Sequence, residues 1–358
     1  MANKQNKFKV ISLFFLLLMG ITFFKGITVK AVDESKEPPK FNYQVKFPEN
    51  QRSEDLGYYD LMMKPGQKQT VQIEFSNLGD TPTTIGIGLN SAKTNSNGVI
   101  EYGDSNIKKD NSLKYDFSDL VSAPSEVKLE PGETKMLDIK IEMPESKFDG
   151  VIAGGIQIIQ DGQNQKSENE GSTVINEYAY LIAMVLQVTD KEILPKLELN
   201  SVIAGQSNYR NTVYVNYSNK EAAFVRNMTT EVNITKKGSK EVLYETKQTS
   251  MKMAPNTFIS FPVDMNGDRM VAGDYTATIL VTADDGINEK WTMDFSISKE
   301  EANKFNERDV GLTQDTGINW QLIALLVVVF FLLLLLIFFI IRHIRKKNKS
   351  KKRKKAHK

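Results

Sequence analysis

An unbroken run of 20 apolar residues near the C-terminus, Leu322 to Ile341, constrains this chain more than any other feature. Twenty residues form a helix of roughly 30 Å, the thickness of a bilayer's hydrocarbon core. The segment that follows, 342–358, carries 11 Lys/Arg and no acid, whereas the segment that precedes the run, 305–320, carries only Arg308. The positive-inside rule therefore predicts a transmembrane helix over 319–341, with the basic tail in the cytoplasm and the preceding chain outside.

A second apolar stretch, Val10 to Phe24, follows three lysines near the N-terminus. Val29-Lys30-Ala31 comes next, with small residues at the two positions that signal peptidase reads. We predict a signal peptide at 1–31, and a retained N-terminal anchor is the alternative. The protein is then expected to be single-pass and type I, with its ectodomain in the cell wall or outside the cell.

The charge is unevenly divided along the chain. Outside the segment 1–31 and the tail, the chain contains 30 Lys/Arg and all 44 Asp/Glu, which gives a net charge of −14. An acidic ectodomain repels polyanions, so no nucleic-acid partner is expected. The basic tail is instead attracted to anionic lipid headgroups.

The chain has no cysteine, and both histidines, His343 and His357, lie in the basic tail. An exported part without His or Cys excludes Ser-His-Asp and Cys-His catalysis and the usual zinc ligands. The segment 264–268 matches a calcium loop only in part, because its glycine is misplaced and Tyr275 occupies the twelfth position. We predict no catalytic residue, cofactor or metal. A cell-wall glycan hydrolase with two carboxylates is the enzymatic alternative, although no spacing selects such a pair.

The exported part has the alternation of β-strands. Apolar and polar residues alternate over 70–77, 135–141 and 277–281, and Pro-Gly and Asn-Gly pairs separate such runs. Helical periodicity is absent until about residue 298. The pattern predicts an all-β ectodomain of two tandem Ig-like β-sandwich domains.

A weak internal repeat supports two domains. TVQIEFSN (70–77) matches TVYVNYSN (212–219) at an offset of 142. The pairs Gly150/Ile156 and Gly273/Ile279 match at an offset of 123. The first copy is therefore the longer one, and its extra residues include the polar stretch 93–112. Chance similarity between alternating strands is the alternative.

The repeat also sets the domain boundaries, because a cut near residue 190 gives each copy a closing strand. The alternative cut lies in the polar loop 161–172. Ser298 and Glu301 form a capping box that predicts a short helix or stalk. The predicted segments are a signal peptide (1–31), the first sandwich (40–190), the second sandwich (195–298), a stalk (299–318), the transmembrane helix (319–341) and the cytoplasmic tail (342–358).

Several blocks of sequence resemble one family, the WxL-interacting proteins of Gram-positive cell surfaces. The resemblance runs from about Phe41 to Phe305 and includes the anchor and basic tail. The blocks are PENQ (48–51), YYDL (58–61), PGQ (65–67), AKTNSNGVIEY (92–102), FDGVIAGGI (148–156), YAYLIAMVLQV (178–188), MKMAPN (251–256) and GDYTATI (273–279). The resemblance implies a first domain that binds peptidoglycan and a second that binds host ligands. It also implies WxL-domain surface proteins as partners.

Two tyrosines after a polar stretch form the first candidate glycan site. Exposed Tyr58 and Tyr59 rings would stack on sugar rings, with Asn50, Gln51 and Asp60 bonding the hydroxyl and acetamido groups. The alternative is that one tyrosine is core and the other ordinary surface.

The second candidate glycan site is a hairpin-type loop at 94–98, where Asn-Gly suits positive φ. Asn95 and Asn97 would present amides to a glycan, and the loop ends near Tyr102. The alternative is a simple turn. Gly154-Gly155 lies inside an apolar strand, which indicates a bulge or a close backbone approach rather than a phosphate loop.

The combined prediction is a membrane-anchored scaffold or adhesin without catalysis. The first domain binds peptidoglycan, and the second binds WxL-type surface proteins or a host extracellular-matrix protein. Besides the hydrolase, a surface receptor is the other alternative, and its short basic tail would need a cytoplasmic partner. Thr316-Gly317 lacks the Leu-Pro that sortase reads, so the helix is expected to be retained as a permanent tether.

Overall fold

The computed structural model describes residues 40–161, 178–312 and 320–355. The predicted signal peptide, most of the 161–172 loop and the sortase-like Thr316-Gly317 lie outside these residues. The described chain is mostly strand, arranged in two sandwiches, and ends in one long apolar helix. The predicted all-β, Ig-like class is confirmed.

The first sandwich packs a four-stranded sheet, in the order β1-β3-β9-β7, on a five-stranded sheet, in the order β2-β11-β10-β4-β8. β2 runs parallel to β11, and the other pairings are antiparallel. A short β5–β6 hairpin projects from the end of β4. The elements are β1 (Phe41–Lys46), a 3₁₀ turn (Glu54–Leu56), β2 (Tyr59–Met62), β3 (Lys68–Asn77), β4 (Thr83–Ser91), β5 (Lys93–Thr94), β6 (Ile100–Glu101), helix α1 (Phe117–Leu120), β7 (Val121–Ser122), β8 (Glu126–Leu129), β9 (Thr134–Glu142), β10 (Val151–Gln160) and β11 (Ala179–Gln187).

The second sandwich is simpler and wholly antiparallel. A three-stranded sheet, in the order β12-β13-β16, packs on a four-stranded sheet, in the order β15-β14-β17-β18. The elements are β12 (Leu197–Ser207), β13 (Arg210–Asn219), β14 (Val225–Lys236), β15 (Val242–Met253), β16 (Phe258–Asp264), β17 (Gly273–Thr282), β18 (Asn288–Ile297), helix α2 (Lys299–Arg308) and helix α3 (Trp320–Lys355).

Strand alternation builds each core. In β3, Val71, Ile73 and Phe75 are buried while the residues between them face outward, as a period of two requires. β10 and β11 each give several more apolar side chains to the same core. The second sandwich has its own core, which includes Tyr217, Val232, Phe261 and Ile279.

The repeated octapeptides occupy equivalent strands, β3 and β13. Each strand ends on a buried asparagine, Asn77 or Asn219. Asn77 Nδ2 donates to the Thr81 carbonyl at 2.8 Å, and Asn219 Nδ2 donates to the Ala223 carbonyl at 2.6 Å. The same side chains also reach across to the Leu129 and Ala254 carbonyls. The two copies thus share a strand order and a polar anchor.

The β5–β6 hairpin docks on the second sandwich. Thr94 Oγ1 lies 2.7 Å from Thr257 Oγ1 and accepts the Ala254 N–H at 3.0 Å. The Lys252 N–H donates to the Gly98 carbonyl at 2.7 Å. Three buried alanines form a small apolar cluster between the sandwiches: Ala92, Ala153 and Ala254. The extra residues of the first copy therefore build an interface between the sandwiches.

The C-terminal helices differ in environment. Helix α2 begins at the predicted capping box, in which Ser298 Oγ accepts the Glu301 N–H and the Glu301 carboxylate accepts the Ser298 N–H. It packs on the second sandwich through the buried Ala302 and Asn306, so the predicted stalk begins with a docked helix. Helix α3 has one stretch, Ile323–Arg342, that is long and apolar enough to cross a membrane, and none of it is buried by the protein.

Candidate glycan-binding surface

The amides of Asn50 and Gln51 bond the chain around them. Asn50 Nδ2 donates to the Met62 carbonyl at 2.9 Å, and its Oδ1 accepts from Gln69 at 2.7 Å. Gln51 Nε2 donates to the Ser53 and Tyr58 carbonyls, and its Oε1 accepts the Asp60 N–H at 3.1 Å. These bonds hold the polar loop against β2, which is a structural role for both side chains.

Tyr59 is a core residue. Its side chain is fully buried, its hydroxyl donates to the Gln72 carbonyl at 2.7 Å, and burial raises the pKa of that hydroxyl. It therefore presents no face on which a sugar could stack. Asp60 is also occupied, because its carboxylate accepts from Gln187 Nε2 at 2.8 Å and lies 3.8 Å from Arg52.

The predicted hairpin site lies mostly at the interface between the sandwiches. Asn95 Oδ1 accepts the N–H groups of Asn97 and Val99 and closes the turn. Asn97 is exposed, and its carbonyl accepts from Gln248 of the second sandwich at 2.8 Å. The hairpin is therefore more than a surface turn, and its contacts are with protein.

Tyr58 and Tyr102, predicted in separate sites, lie close together. Both are half-buried. Burial raises the pKa of Tyr102, and the neighbouring Tyr58 hydroxyl raises it further. Tyr102 lies over Gly155, where a Cβ would come within 2.5 Å of the Tyr102 Cβ. Gly155 thus confirms the predicted close backbone approach, and Tyr102 crosses the outer face of the five-stranded sheet.

That outer face is uncharged over three neighbouring strands, β11, β10 and β4. We call it the neutral face. Its residues alternate along each strand with residues that point into the core. They are Gly86, Gly88, Asn90, Gly155, Gln157, Ile159, Ala179, Leu181 and Ala183. The large apolar side chain most exposed on it is Leu181, at 48%.

The outer face of the four-stranded sheet is different. It is crossed by Lys46–Glu74 and Lys68–Glu142 ion pairs, at 3.3 and 2.9 Å, and by a hydrogen bond between Gln72 and Asp138. Such a face is typical of solvated protein surface. The contrast marks the neutral face as the unusual surface of the first sandwich.

The chemistry of the neutral face suits an uncharged ring with hydroxyl groups. Gly86 and Gly88 leave a shallow floor, whereas Gly155 is covered by Tyr102. Leu181 and Tyr102 give apolar contacts. Gln157 Oε1 accepts from the Asp104 N–H at 3.1 Å and from Asn90 Nδ2 at 3.4 Å. These bonds fix the carboxamide, and in the described chain they leave Gln157 Nε2 to donate to a ligand.

A concave region lies at the β2 edge of the same sheet. It is an open cleft of about 580 Å³, lined by Asn50 and by residues 62–67. Gln67 Nε2 donates to Gln69 Oε1 at 2.8 Å, which continues the amide chain from Asn50. The cleft is the rival location for a glycan.

The described residues include no carboxyl group whose pKa is raised. A glycosidase general acid has a raised carboxyl pKa. Every carboxyl group with a shifted pKa in the described chain is shifted downward: Asp110, Asp116, Glu133, Asp149, Asp294 and Glu301. The described chain also has no cluster of three or more Asp, Glu, His or Cys that could hold a metal ion.

The fold defines a class: a protein of two Ig-like β-sandwiches followed in the chain by one candidate membrane helix. The peptidoglycan-binding domain of WxL-interacting proteins matches residues 41–160, and the host-binding domain of the same family matches 169–307. The chain belongs to the WxL-interacting protein family. Its matched domains are binding domains of a cell-surface protein, one for peptidoglycan and one for host ligands.

The search among curated proteins returns no match. Solved structures with similar folds include the YadV chaperone, at 9% identity over 72% of this chain and 100% of that one, with a TM-score of 0.27. The Salmonella enterica SafA pilin–SafB chaperone complex matches at 10% identity over 74% and 99%, with a TM-score of 0.28. A PapD-like domain of human CEP192 matches at 15% identity over 45% and 94%, with a TM-score of 0.26.

Proposed function

We propose that this protein is a membrane-tethered scaffold that holds peptidoglycan with its first sandwich and protein partners with its second. The uncharged outer face beside Tyr102, in a domain matched to peptidoglycan binding, is the observation that carries the glycan assignment. Sugar rings pack their apolar faces on Leu181 and the glycine floor, and Asn90 and Gln157 bond their polar groups. The mechanism is equilibrium binding without bond cleavage.

The proposed division into sandwiches runs 40–190 and 195–298. β11 supports it, because this strand pairs with β10 of the first sandwich along its whole length and with β2 over Met184–Gln187. The host-binding match begins earlier, at residue 169, and so includes β11. Deleting residues 178–190 would therefore remove a central strand of the first sandwich rather than trim the second.

Retention of the full chain on purified peptidoglycan tests the glycan site. Leu181→Glu places a charge on the neutral face, and we expect it to reduce retention severalfold. Met136→Glu is the matched control, because Met136 is equally exposed, at 48%, on the outer face of the other sheet. Equal retention by both variants would reject the neutral face. If Gln67→Ala alone reduced retention, the cleft at Asn50 would be the site.

We propose that the second sandwich binds WxL-domain surface proteins or a host extracellular-matrix protein. β15 supports this, because it is a 12-residue strand at the end of its sheet. Its last residues are bonded to the β5–β6 hairpin through the Lys252 N–H, so the part of the edge that precedes them can pair with a strand of a partner. Co-purification of the full chain with the cell's own WxL proteins and with matrix proteins tests it. Capture of neither class, under conditions where peptidoglycan is retained, would reject this half of the function alone.

We propose that the basic tail is cytoplasmic, as its 11 Lys/Arg predict. The chain contains no cysteine, so single cysteines report topology cleanly. A membrane-impermeant thiol reagent added to cells with permeable walls should label Ser96→Cys in the ectodomain. It should label Ser350→Cys in the tail only after the membrane is opened, and immediate labelling there would reverse the orientation.

A further inference from the structure

The chain leaves the second sandwich at a well-defined corner. Helix α2 ends there, and the Val310 N–H donates to the Tyr209 carbonyl at 3.0 Å in the turn between β12 and β13. Gly311 N–H donates to Asp309 Oδ1 at 2.7 Å, and the Arg210 guanidinium lies against Gly311. We call this end of the sandwich, which includes residues 208–211, 236–242, 264–273 and 306–311, the base.

A buried group of hydrogen-bonded side chains links the segments of the base. Asn211 Nδ2 donates to Asn306 Oδ1 at 2.8 Å and to the Asp268 carbonyl at 3.2 Å. The Asn211 N–H donates to Asp309 Oδ2 at 2.7 Å. Asn306 in turn bonds both the N–H and the carbonyl of Met270. Three segments, from β13, the loop after β16 and helix α2, are thus tied together beneath the corner.

Exposed apolar side chains are concentrated at this base. In residues 195–312 five large apolar side chains are exposed, and four of them lie at the base: Tyr209, Val242, Val271 and Val310. Tyr209 and Val310 are each 70% exposed, and Val271 is 56% exposed. Single exposed apolar residues are ordinary, but a group at one end of a domain marks an interaction surface.

The backbone conformation at Tyr209 is an independent indication that the base is an interaction surface. Asn208 and Tyr209 both have positive φ, 48° and 59°, as in the type I′ turn that usually carries Asn-Gly. A bulky side chain in this conformation costs about 1–2 kcal/mol. The turn therefore carries an exposed tyrosine where glycine would fold better.

The tether length limits what this base can meet. Eight Cα–Cα steps separate Leu312 from Trp320, where helix α3 begins, and they span at most roughly 28 Å. β18 has 10 residues, so at roughly 3.3 Å per residue its opposite end lies about 30 Å from the base. With helix α3 in a bilayer, the base is the part of the ectodomain held next to the headgroups.

We propose that the base of the second sandwich rests on the lipid surface, with Tyr209, Val271 and Val310 in the interfacial zone. Tyrosine is suited to this zone because its ring is apolar and its hydroxyl reaches water. The exposed Lys236, Lys240 and Arg269 lie beside the apolar group and face lipid phosphates, while Asp264 and Asp268 keep the net charge small. The contact is therefore mainly apolar. This proposal rests on the proposed function, since it requires that helix α3 spans the bilayer.

The full chain, reconstituted in vesicles of phosphatidylcholine and phosphatidylglycerol, tests this contact. Tyr209→Cys and the matched control Asn288→Cys, at the far end of β18, are each labelled with an environment-sensitive fluorophore. The label at position 209 should be severalfold less accessible to iodide than the label at 288, and bromine-bearing lipids should quench it. High salt should leave the difference in place. Equal accessibility in vesicle-inserted protein would overturn the proposal.

A second variant separates docking from a local effect of the label. With the label at Val271→Cys, the double change Tyr209→Asn and Val310→Ser should raise iodide accessibility severalfold, because Asn keeps the positive φ without the apolar ring. Ile203→Ser, which removes the fifth exposed apolar side chain from β12, should not. Protection that appears only at high protein-to-lipid ratio would assign the surface to a second copy. Flotation after alkaline extraction tests the membrane tether alone. If the full chain failed to float with the vesicles, both the proposed tether and the proposed lipid contact would be rejected.

Discussion

Tyr102 lies over Gly155 on the outer face of β10 so closely that a Cβ on Gly155 would stand 2.5 Å from the Tyr102 Cβ and 2.8 Å from its carbonyl oxygen. The preceding glycine does the same on the other face, where a Cβ on Gly154 would overlap the Phe117 ring. Two consecutive glycines therefore admit one aromatic residue from each side of the sheet. Gly154 lets Phe117 of helix α1 pack into the core, and Gly155 lets Tyr102 form the edge of the neutral face.

Gly155→Ala should displace Tyr102. Overpacking a tight contact costs typically about 1–3 kcal/mol, so we expect a loss of unfolding free energy in this range. Retention on peptidoglycan should fall as well, because Tyr102 shapes the proposed site. Gly88→Ala is the control on the same face, since its Cβ would meet nothing nearer than 3.4 Å. Chemical denaturation of both variants gives the comparison, and equal stability would contradict the close contact.

Sequence alone predicted what depends on local periodicity. The glycine pair indicated a close approach, the octapeptides fell on equivalent strands, and the capping box at Ser298 placed helix α2. Alternation also makes the inward side of each strand predictable. In β4, Gly86 and Gly88 alternate with apolar residues, which indicates an outer face without side chains. Sequence reasoning missed this indication.

The remainder depends on contacts between distant residues. Thr94 and Thr257 meet although 163 residues separate them, and no pattern in either segment records the partner. For the same reason the sequence predicts glycan contacts for Asn50 and Gln51 and does not predict the hydrogen bonds by which their amides hold their own loop. The docking of helix α2 through Asn306 was missed because a polar residue gives no apolar periodicity.

The buried asparagines at the ends of β3 and β13 should contribute similar amounts to the free energy of unfolding. Asn77→Ala leaves the Thr81 carbonyl and the Gly79 N–H without partners, and Asn219→Ala does the same around Ala223. The two side chains also make buried bonds to the Leu129 and Ala254 carbonyls, so each variant should lose about 1–3 kcal/mol of stability. Asn42→Ala, on the exposed side of β1, should change stability by less than about 0.5 kcal/mol. A small effect at only one of the two sites would contradict their equivalence.

Removing the Asn306 side chain should release helix α2 from the sandwich. Asn306→Ala deletes the acceptor for Asn211 and Met270 and the donor to the Met270 carbonyl. We expect faster amide hydrogen exchange in residues 299–310, with the strands of the second sandwich less affected. Asn303→Ala, an exposed position on the same helix, is the control. Unchanged exchange in both variants would show that the helix is held by its apolar face alone.

Asp116 should set the acid limit of stability in the first sandwich. Burial alone would raise its pKa, but hydrogen bonds from Lys109, Ser91 and Ser118 outweigh burial and lower the pKa to about 2. Because the folded pKa lies below the unfolded value of 3.8, its stabilisation is full above that pH and is lost as pH falls toward 2. Asp116→Asn should remove about 1–2 kcal/mol at neutral pH. The difference from the native chain should shrink between pH 4 and pH 2 in denaturation measurements, and parallel curves would contradict the assignment.

Thr94 should couple the unfolding of the two sandwiches. Its hydroxyl accepts the buried Ala254 N–H and bonds Thr257, and no other side chain of the β5–β6 hairpin bonds that part of the second sandwich in the described residues. Thr94→Val keeps the shape and removes the hydroxyl, so the Ala254 N–H is left unsatisfied at about 1–3 kcal/mol. Since that loss falls on the interface, calorimetry of the full chain in detergent should show two transitions further apart than in the native chain. Ser96→Ala, exposed at the tip of the same hairpin, should leave the trace unchanged. If Thr94→Val lowered both transitions equally and left their spacing unaltered, the hairpin would be a passive contact, and peptidoglycan held by the first sandwich could not restrain the second.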